Sequence, residues 1–152
     1  MIRLNRLTDY GVVLMVQLAR SDEQVQTATH LSAANGVPLP TAAKLLKQLA
    51  AVGLVTSHRG AAGGYSLSRR AHSITVAEIV AALEGPIALT ACVDGSIEHC
   101  GVESICPMRG NWNRVNEAIQ RALSEVTLAE MAEPYWPASA VRPAAASVGP
   151  PL

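Results

Sequence analysis

The chain has no phenylalanine, and aromatic residues make up only 3% of its 152 positions. A core assembled without them has to come from Val, Leu, Ile and Ala, which favours packed helices over a large sheet. Any apolar run long enough to cross a bilayer is also missing. Near the N-terminus Arg3 and Arg6 precede the apolar stretch Val12 to Val16. Asp9 interrupts the approach and Gln17 ends the run, so it does not read as a signal peptide. The expectation is a soluble, cytoplasmic chain without a membrane partner, in which thiols stay reduced.

Charge of one sign is absent from long segments. Between Gln24 and Ala77 there is no Asp or Glu, while Lys44, Lys47, Arg59, Arg69 and Arg70 supply five positive charges. Between Glu78 and Cys106 there is no Lys or Arg, while Glu78, Glu84, Asp94, Glu98 and Glu103 supply five negative ones. The flanking segments balance, three against three over 1–23 and four against four over 107–152. The formal net charge of zero therefore conceals a basic module followed by an acidic one, and local charge governs phosphate binding more than the sum does. Catalytic groupings are lacking too. No nucleophile stands in a recognisable frame with a base, and no carboxylates pair, so neither an enzyme nor a small-molecule substrate is expected.

What is present begins with helical periodicity. Leu7, Tyr10, Leu14 and Leu18 recur at helical spacing after Thr8, which predicts a first helix capped by Thr8 and reaching about Ser21. A second helix is expected over about Thr29 to Asn35, with Gly36 as its stop. Pro38 and Pro40 then give an extended entry to a third helix, Thr41 to Val52, closed by Gly53. Two short helices joined by a tight turn, the second carrying lysines on its polar side, form a helix-turn-helix. A hairpin follows, with Leu54 to Arg59 going out, Gly60, Gly63 and Gly64 in the turn, and Tyr65 to Ser68 returning. Helix-turn-helix and hairpin together predict a winged helix in a mainly α chain.

On the third helix Leu45, Leu46 and Leu49 suit the core, leaving Thr41, Lys44, Lys47 and Gln48 for solvent or for DNA. A recognition helix sets its N-terminal polar residues against base edges and its lysines against phosphates. In the hairpin, Arg59 and the glycines that include Gly63 and Gly64 offer one guanidinium beside backbone that can approach phosphate or a minor groove. A nucleotide-binding glycine loop would need a helix after it, and here a strand follows.

Farther along, Thr75 and Glu78 form a capping box for a fourth helix ending at Gly85 and Pro86. From Pro107, taken as a first helical residue, Met108, Trp112, Val115, Ile119, Leu123 and Val126 step by threes and fours. That narrow apolar stripe suits pairing with a second copy, giving a homodimer through a long C-terminal helix. Beyond Pro137 the chain is mainly Ala, Pro and Ser, and a disordered tail is expected. The predicted division is a DNA-binding domain over 1–86, a cysteine loop over 87–106, a dimerisation helix over 107–133 and the tail over 134–152.

Cysteine occurs only three times, at Cys92, Cys100 and Cys106, all in the acidic, glycine-bearing loop. An odd number of clustered thiols without a secretion signal points to a metal or redox site rather than a disulfide framework. Gaps of seven and then five residues exclude a Cys-x-x-Cys pair. Gly95 and Gly101 make the intervening chain pliable enough to wrap an object of cluster size. Asp94, Glu98, His99 and Glu103 between the thiols argue against three cysteines merely packed in a core. Cys106, placed next to the expected helix start, would have its thiolate favoured by the helix dipole.

The order and spacing of several motifs carry a resemblance. They are Arg6-Leu7-Thr8-Asp9-Tyr10, Ala43-Lys44-Leu45-Leu46, Gly53-Leu54-Val55, Arg59-Gly60 with Gly63-Gly64-Tyr65 and Leu67, Ile74-Thr75-Val76, Glu84-Gly85, and the three cysteines. Over residues 1 to about 133 the sequence resembles the Rrf2 family of bacterial transcription regulators, and within it the IscR-like and SUF-system regulators of iron-sulfur cluster assembly. The resemblance implies a winged-helix homodimer that binds promoter DNA, with cysteines holding an iron-sulfur cluster of 2Fe-2S type in preference to 4Fe-4S. It implies control of cluster-assembly genes by cluster state. Where some relatives carry a fourth-ligand histidine three residues after the last cysteine, this chain has Arg109, which has no lone pair to give. His99, a neighbouring acid, an external thiol or Asp9 remains for that role. Asp9, the position at which some relatives use an acid, is favoured over His99. A cluster carrier or scaffold without DNA binding, and a metal-free thiol redox switch, are the rival readings.

Overall fold

The computed structural model describes residues 3–21 and 24–134. The expected tail lies outside the described residues, apart from Pro134. Helix α1 (Arg6–Ala19) starts earlier than expected, because Asn5 and not Thr8 caps it, the Asn5 side chain accepting from the Thr8 backbone N–H at 2.9 Å. Thr8 is one turn in and fully buried, its hydroxyl also donating to Asn5 Oδ1. Helix α2 (Ala28–Asn35) is capped by Thr27 and ends on Gly36, whose positive φ of 65° is the left-handed stop that glycine supplies most readily. Helix α3 (Leu39–Ala51) takes in Pro40 instead of following it. A first-turn amide has no intrahelical partner, so proline costs nothing there.

Strands β1 (Val55–His58) and β2 (Gly64–Leu67) pair antiparallel, with Val55 opposite Leu67 and His58 opposite Gly64. Gln26 adds a single bridge to Tyr65 on the other edge of β2. A 3-10 turn (Ala71–Ser73) leads to α4 (Val76–Glu84), whose Thr75–Glu78 capping box forms in both directions. Between α4 and α5 (Arg109–Glu125) the cysteine loop contains one further 3-10 turn, Glu103–Ile105.

The long C-terminal element is not continuous to residue 133. It stops at Glu125, and a second capping box, Thr127–Glu130, opens the short α6 (Leu128–Ala132). The chain there folds back on itself. Val76 N–H donates to Val126 O and Leu128 N–H to Ile74 O, and Leu128 enters the core fully buried. That core is aliphatic, as the missing phenylalanine requires: Leu14, Met15 and Leu18 of α1 meet Leu31, Leu45, Leu46, Leu49, Ile74, Ile79 and Leu128. Gly11 lets α4 lie close, since a Cβ there would sit 2.2 Å from Leu83 Cδ1. The winged helix and α6 thus share one core, and α5 with the cysteine loop is laid against its α4 side. Among the described residues no helix is long and apolar enough to cross a membrane.

Candidate functional site

Two surfaces hold the residues singled out from the sequence. On α3 the buried positions Ala42, Leu45, Leu46 and Leu49 fix the helix against α1, α2 and α4. This turns Lys44, Lys47 and Gln48 to solvent, while Thr41 is half-buried at the edge of that face. Arg59 is exposed in the turn between β1 and β2. Arg69 is different. It forms an ion pair with Glu78 across the edge of α4, so it adds little to the basic surface. Partial burial pushes the Glu78 carboxyl up, but hydrogen bonds from Thr75 and the Arg69 guanidinium outweigh it and hold the group below its ordinary value.

The wing glycines meet a constraint within the protein itself. A Cβ on Gly63 would lie 2.7 Å from His58 O and 2.8 Å from Gly60 O, and one on Gly64 would lie 2.5 Å from Gln26 O. Gly64 also has φ +154°, which L side chains rarely adopt. The pair is therefore demanded by the protein's own backbone, which must turn tightly and receive the Gln26 bridge. Gly60, with φ +96° and nothing within 4 Å, is the one open to an approaching ligand. Gly64→Ala is expected to break the Gln26–Tyr65 bridge, loosening the wing and costing about 1–3 kcal/mol. A denaturant midpoint unchanged from the parent would contradict this.

The cysteine loop is anchored by amides of α5. Asn116, 3% exposed, donates to Ile87 O at 2.9 Å and accepts from Leu89 N–H at 3.0 Å. Gln120 donates to the same Ile87 O at 3.1 Å. Asn113 accepts from Asp94 N–H at 3.0 Å and donates to Asp94 Oδ2 at 2.9 Å. These side chains stand at helical spacing alongside the apolar stripe. The signal that could have found them is an asparagine pair three apart on an otherwise amphipathic helix. Cys92 sits between the two asparagine anchors and is buried, with Thr90 Oγ1 at 3.3 Å from its sulfur.

Cys100 and Cys106 are half-buried and farther along, and all three thiols are free of disulfides. Cys106 closes the 3-10 turn, while α5 begins only at Arg109. Pro107 is thus not the first helical residue, and Cys106 stands outside the first turn of α5. Asp9 lies exposed in the first turn of α1. Among the described residues no three His, Cys, Asp or Glu side chains come together as a metal site. By donor chemistry the three thiols suit an iron-sulfur cluster. By position, the single chain does not gather them. Around them the loop exposes Ile97 (83%), Ile105 (80%) and Val102 (56%), an apolar surface unusual for an acidic loop.

Along α5, Met108, Trp112 and Val115 are exposed as well. Ile119 and Leu123 are half-buried and line a cleft with Leu4, Val80 and Ile87.

A family model described as Rrf2, iron-dependent transcriptional regulator, matches residues 4–134. The chain belongs to the Rrf2 family. Its relatives include Rv1287 of Mycobacterium tuberculosis, named as an HTH-type transcriptional regulator, which is 31% identical over 133 residues, 86% of this chain and 81% of that protein. Among solved structures, CymR, the global cysteine regulator of B. subtilis, superposes with a TM-score of 0.68 at 28% identity, over 87% of this chain and 97% of CymR. IscR of T. potens superposes with a TM-score of 0.65 at 28% identity, over 86% of this chain and 85% of IscR. This Rrf2 protein is accordingly a DNA-binding transcriptional regulator with a winged helix, and its relatives are regulators rather than enzymes.

Proposed function

We propose that the protein is a cytoplasmic, homodimeric regulator that senses iron-sulfur cluster status through Cys92, Cys100 and Cys106 and controls cluster-assembly promoters. The observation that carries the reading is the loop itself. The only three thiols of the chain share it, Cys92 is held between backbone anchors at Ile87, Leu89 and Asp94, and the other two lie on the stretch that exposes Ile97, Val102 and Ile105. A 2Fe-2S or 4Fe-4S cluster held there by the three thiols would supply a centre whose loss frees them.

The chain's own residues do the rest. Asn113, Asn116 and Gln120 couple the loop backbone to α5, so a loop drawn in around its cysteines pulls on that helix. Through α5 it biases how two winged helices in a dimer are presented to DNA. Thr41, Lys44, Lys47 and Gln48 of α3, with Arg59 and the Gly63–Gly64 turn, form the DNA face. For the fourth ligand Asp9 is preferred to His99. A ligand at His99 next to Cys100 strains the backbone, and an exposed carboxylate at the start of α1 is available to a partner's loop. Asp9→Ala is expected to change the cluster's spectrum and shorten its anaerobic lifetime, whereas His99→Ala leaves both unchanged; the reverse pattern would reassign the ligand.

The test of the reading is the triple substitution Cys92→Ala, Cys100→Ala and Cys106→Ala, expected to abolish bound iron and sulfide while leaving the helical circular dichroism intact. Full iron and sulfide content in that variant would end the proposal. A metal-free thiol switch is the second reading, favoured by thiols that do not converge within one chain and by the likeness to CymR. A protein colourless under both aerobic and anaerobic purification, yet with thiol-dependent DNA affinity, would select it.

A further inference from the structure

The first turn of α3 carries an outward surface with almost no hydrogen-bonding side chains. At about 100° per residue, the core positions Ala42, Leu45, Leu46 and Leu49 define one side of the helix. Pro40 stands opposite that core side between Lys47 and Lys44, while Leu39 and Ala43 lie on the flank between Pro40 and the core. Leu39 is 43% exposed and Pro40 exposed, while Ala43 is half-buried. Single exposed leucines are ordinary on protein surfaces. This one lies in the N-terminal turn of α3, the part of a recognition helix that meets base edges, and no Arg, Asn or Gln is in that turn to read a base through bidentate hydrogen bonds. Thr41, the one hydroxyl of that turn, is half-buried toward the edge. The surroundings match a duplex in charge: Lys44 and Lys47 follow on the same face, Arg59 stands in the wing, and no acid occurs between Gln24 and Ala77.

We propose that Leu39, with Pro40 and Ala43, reads the 5-methyl group of thymine in the major groove, making apolar contact the principal direct base readout of the first turn of α3. The inference rests on the placement of α3 against DNA. Lys44 and Lys47 supply phosphate contacts that hold the helix in register, while Leu39 supplies the choice of base. The thymine methyl is the only apolar group that base pairs present in the major groove, so an apolar first turn has one feature to select.

The experiment uses the full-length protein and a duplex enriched by it from a random-sequence library. Each thymine of the enriched site is replaced in turn by uracil, which removes the methyl and leaves every base-pair hydrogen bond. At one or two positions per half-site the replacement is expected to weaken binding about three- to fivefold, the scale of one buried methyl contact. Leu39→Ala is expected to bind thymine and uracil duplexes alike at those positions. Lys44→Ala is expected to weaken both equally and keep their ratio. Leu39 is exposed and alanine favours helix, so circular dichroism should show the variant folded. No position with a thymine-over-uracil preference, or the same preference in Leu39→Ala, would overturn the proposal with DNA binding through α3 still standing. Loss of neither affinity nor salt dependence in Lys44→Ala would overturn that placement itself, and the proposal with it.

Discussion

Glutamate at both Val115 and Ile119 is expected to leave a single-chain species of 15.9 kDa in sedimentation or light scattering, where the parent, as proposed, runs as a dimer. Trp112 is 39% and Val115 44% exposed, and Met108 and the loop residues Ile97, Val102 and Ile105 extend the same apolar character beyond one end of the helix. The adjoining flank of α5 is spent on anchoring the cysteine loop through Asn113, Asn116 and Gln120. A two-fold pairing of such helices sets each residue near its own copy or a close neighbour, so two substitutions place four carboxylates in one interface. Those charges lose water without gaining partners, a penalty of several kcal/mol. In the monomer Val115 is already wet and tolerates a charge, whereas Ile119 lines the cleft with Leu4 and Val80, so Val115→Glu alone is the companion variant that separates lost pairing from a disturbed fold. A dimer of unchanged affinity would move the interface off α5.

Neutralising Lys44 or Arg59 is expected to weaken promoter binding by about tenfold or more and to flatten its dependence on salt. Each lost phosphate contact releases one fewer counterion and lowers the slope of log affinity against log salt by about 0.9 for duplex DNA, and a dimer loses two contacts per substitution. Both side chains are exposed, on α3 and in the wing, and no acid is present in the segment around them to offset the charge. Gln48→Ala serves as the neutral comparison, altering affinity with no change in slope. Unchanged affinity and slope in both charge variants would put the DNA surface elsewhere.

Much of the winged helix was legible because its signals are local. Gly36 ends α2 through its own backbone conformation, and Thr75 with Glu78 opens α4 through side chains three residues apart. Where the sequence misled, a competing local signal stood beside the real one. Thr8 looks like a cap as good as Asn5, and only its burial in the core decides between them. Pro40 looks like an entry to α3 because proline breaks helix interiors, yet it is harmless in a first turn. The stripe through Val126 hid the end of α5. The second box, Thr127–Glu130, was readable, but the reason for it is tertiary: Leu128 fills the core beside Ile74. The site followed the same division. Clustered thiols and segregated charge are sequence facts, whereas the asparagine anchors and the Gln26 approach to Gly64 exist only once distant segments meet. The cysteines show the limit most clearly, since spacing placed them on one loop and nothing local says how far apart a folded loop holds them.

The central claim, that cluster state at the three cysteines governs promoter binding, is tested most directly on one anaerobic preparation. Visible absorption and Mössbauer spectra are recorded first, followed by promoter affinity before and after the cluster is removed by chelation. The account predicts thiolate-ligated iron-sulfur spectra and a change in promoter affinity of at least tenfold on cluster removal, absent in the triple alanine variant. Iron-free protein, or identical affinity with and without the cluster, would contradict it.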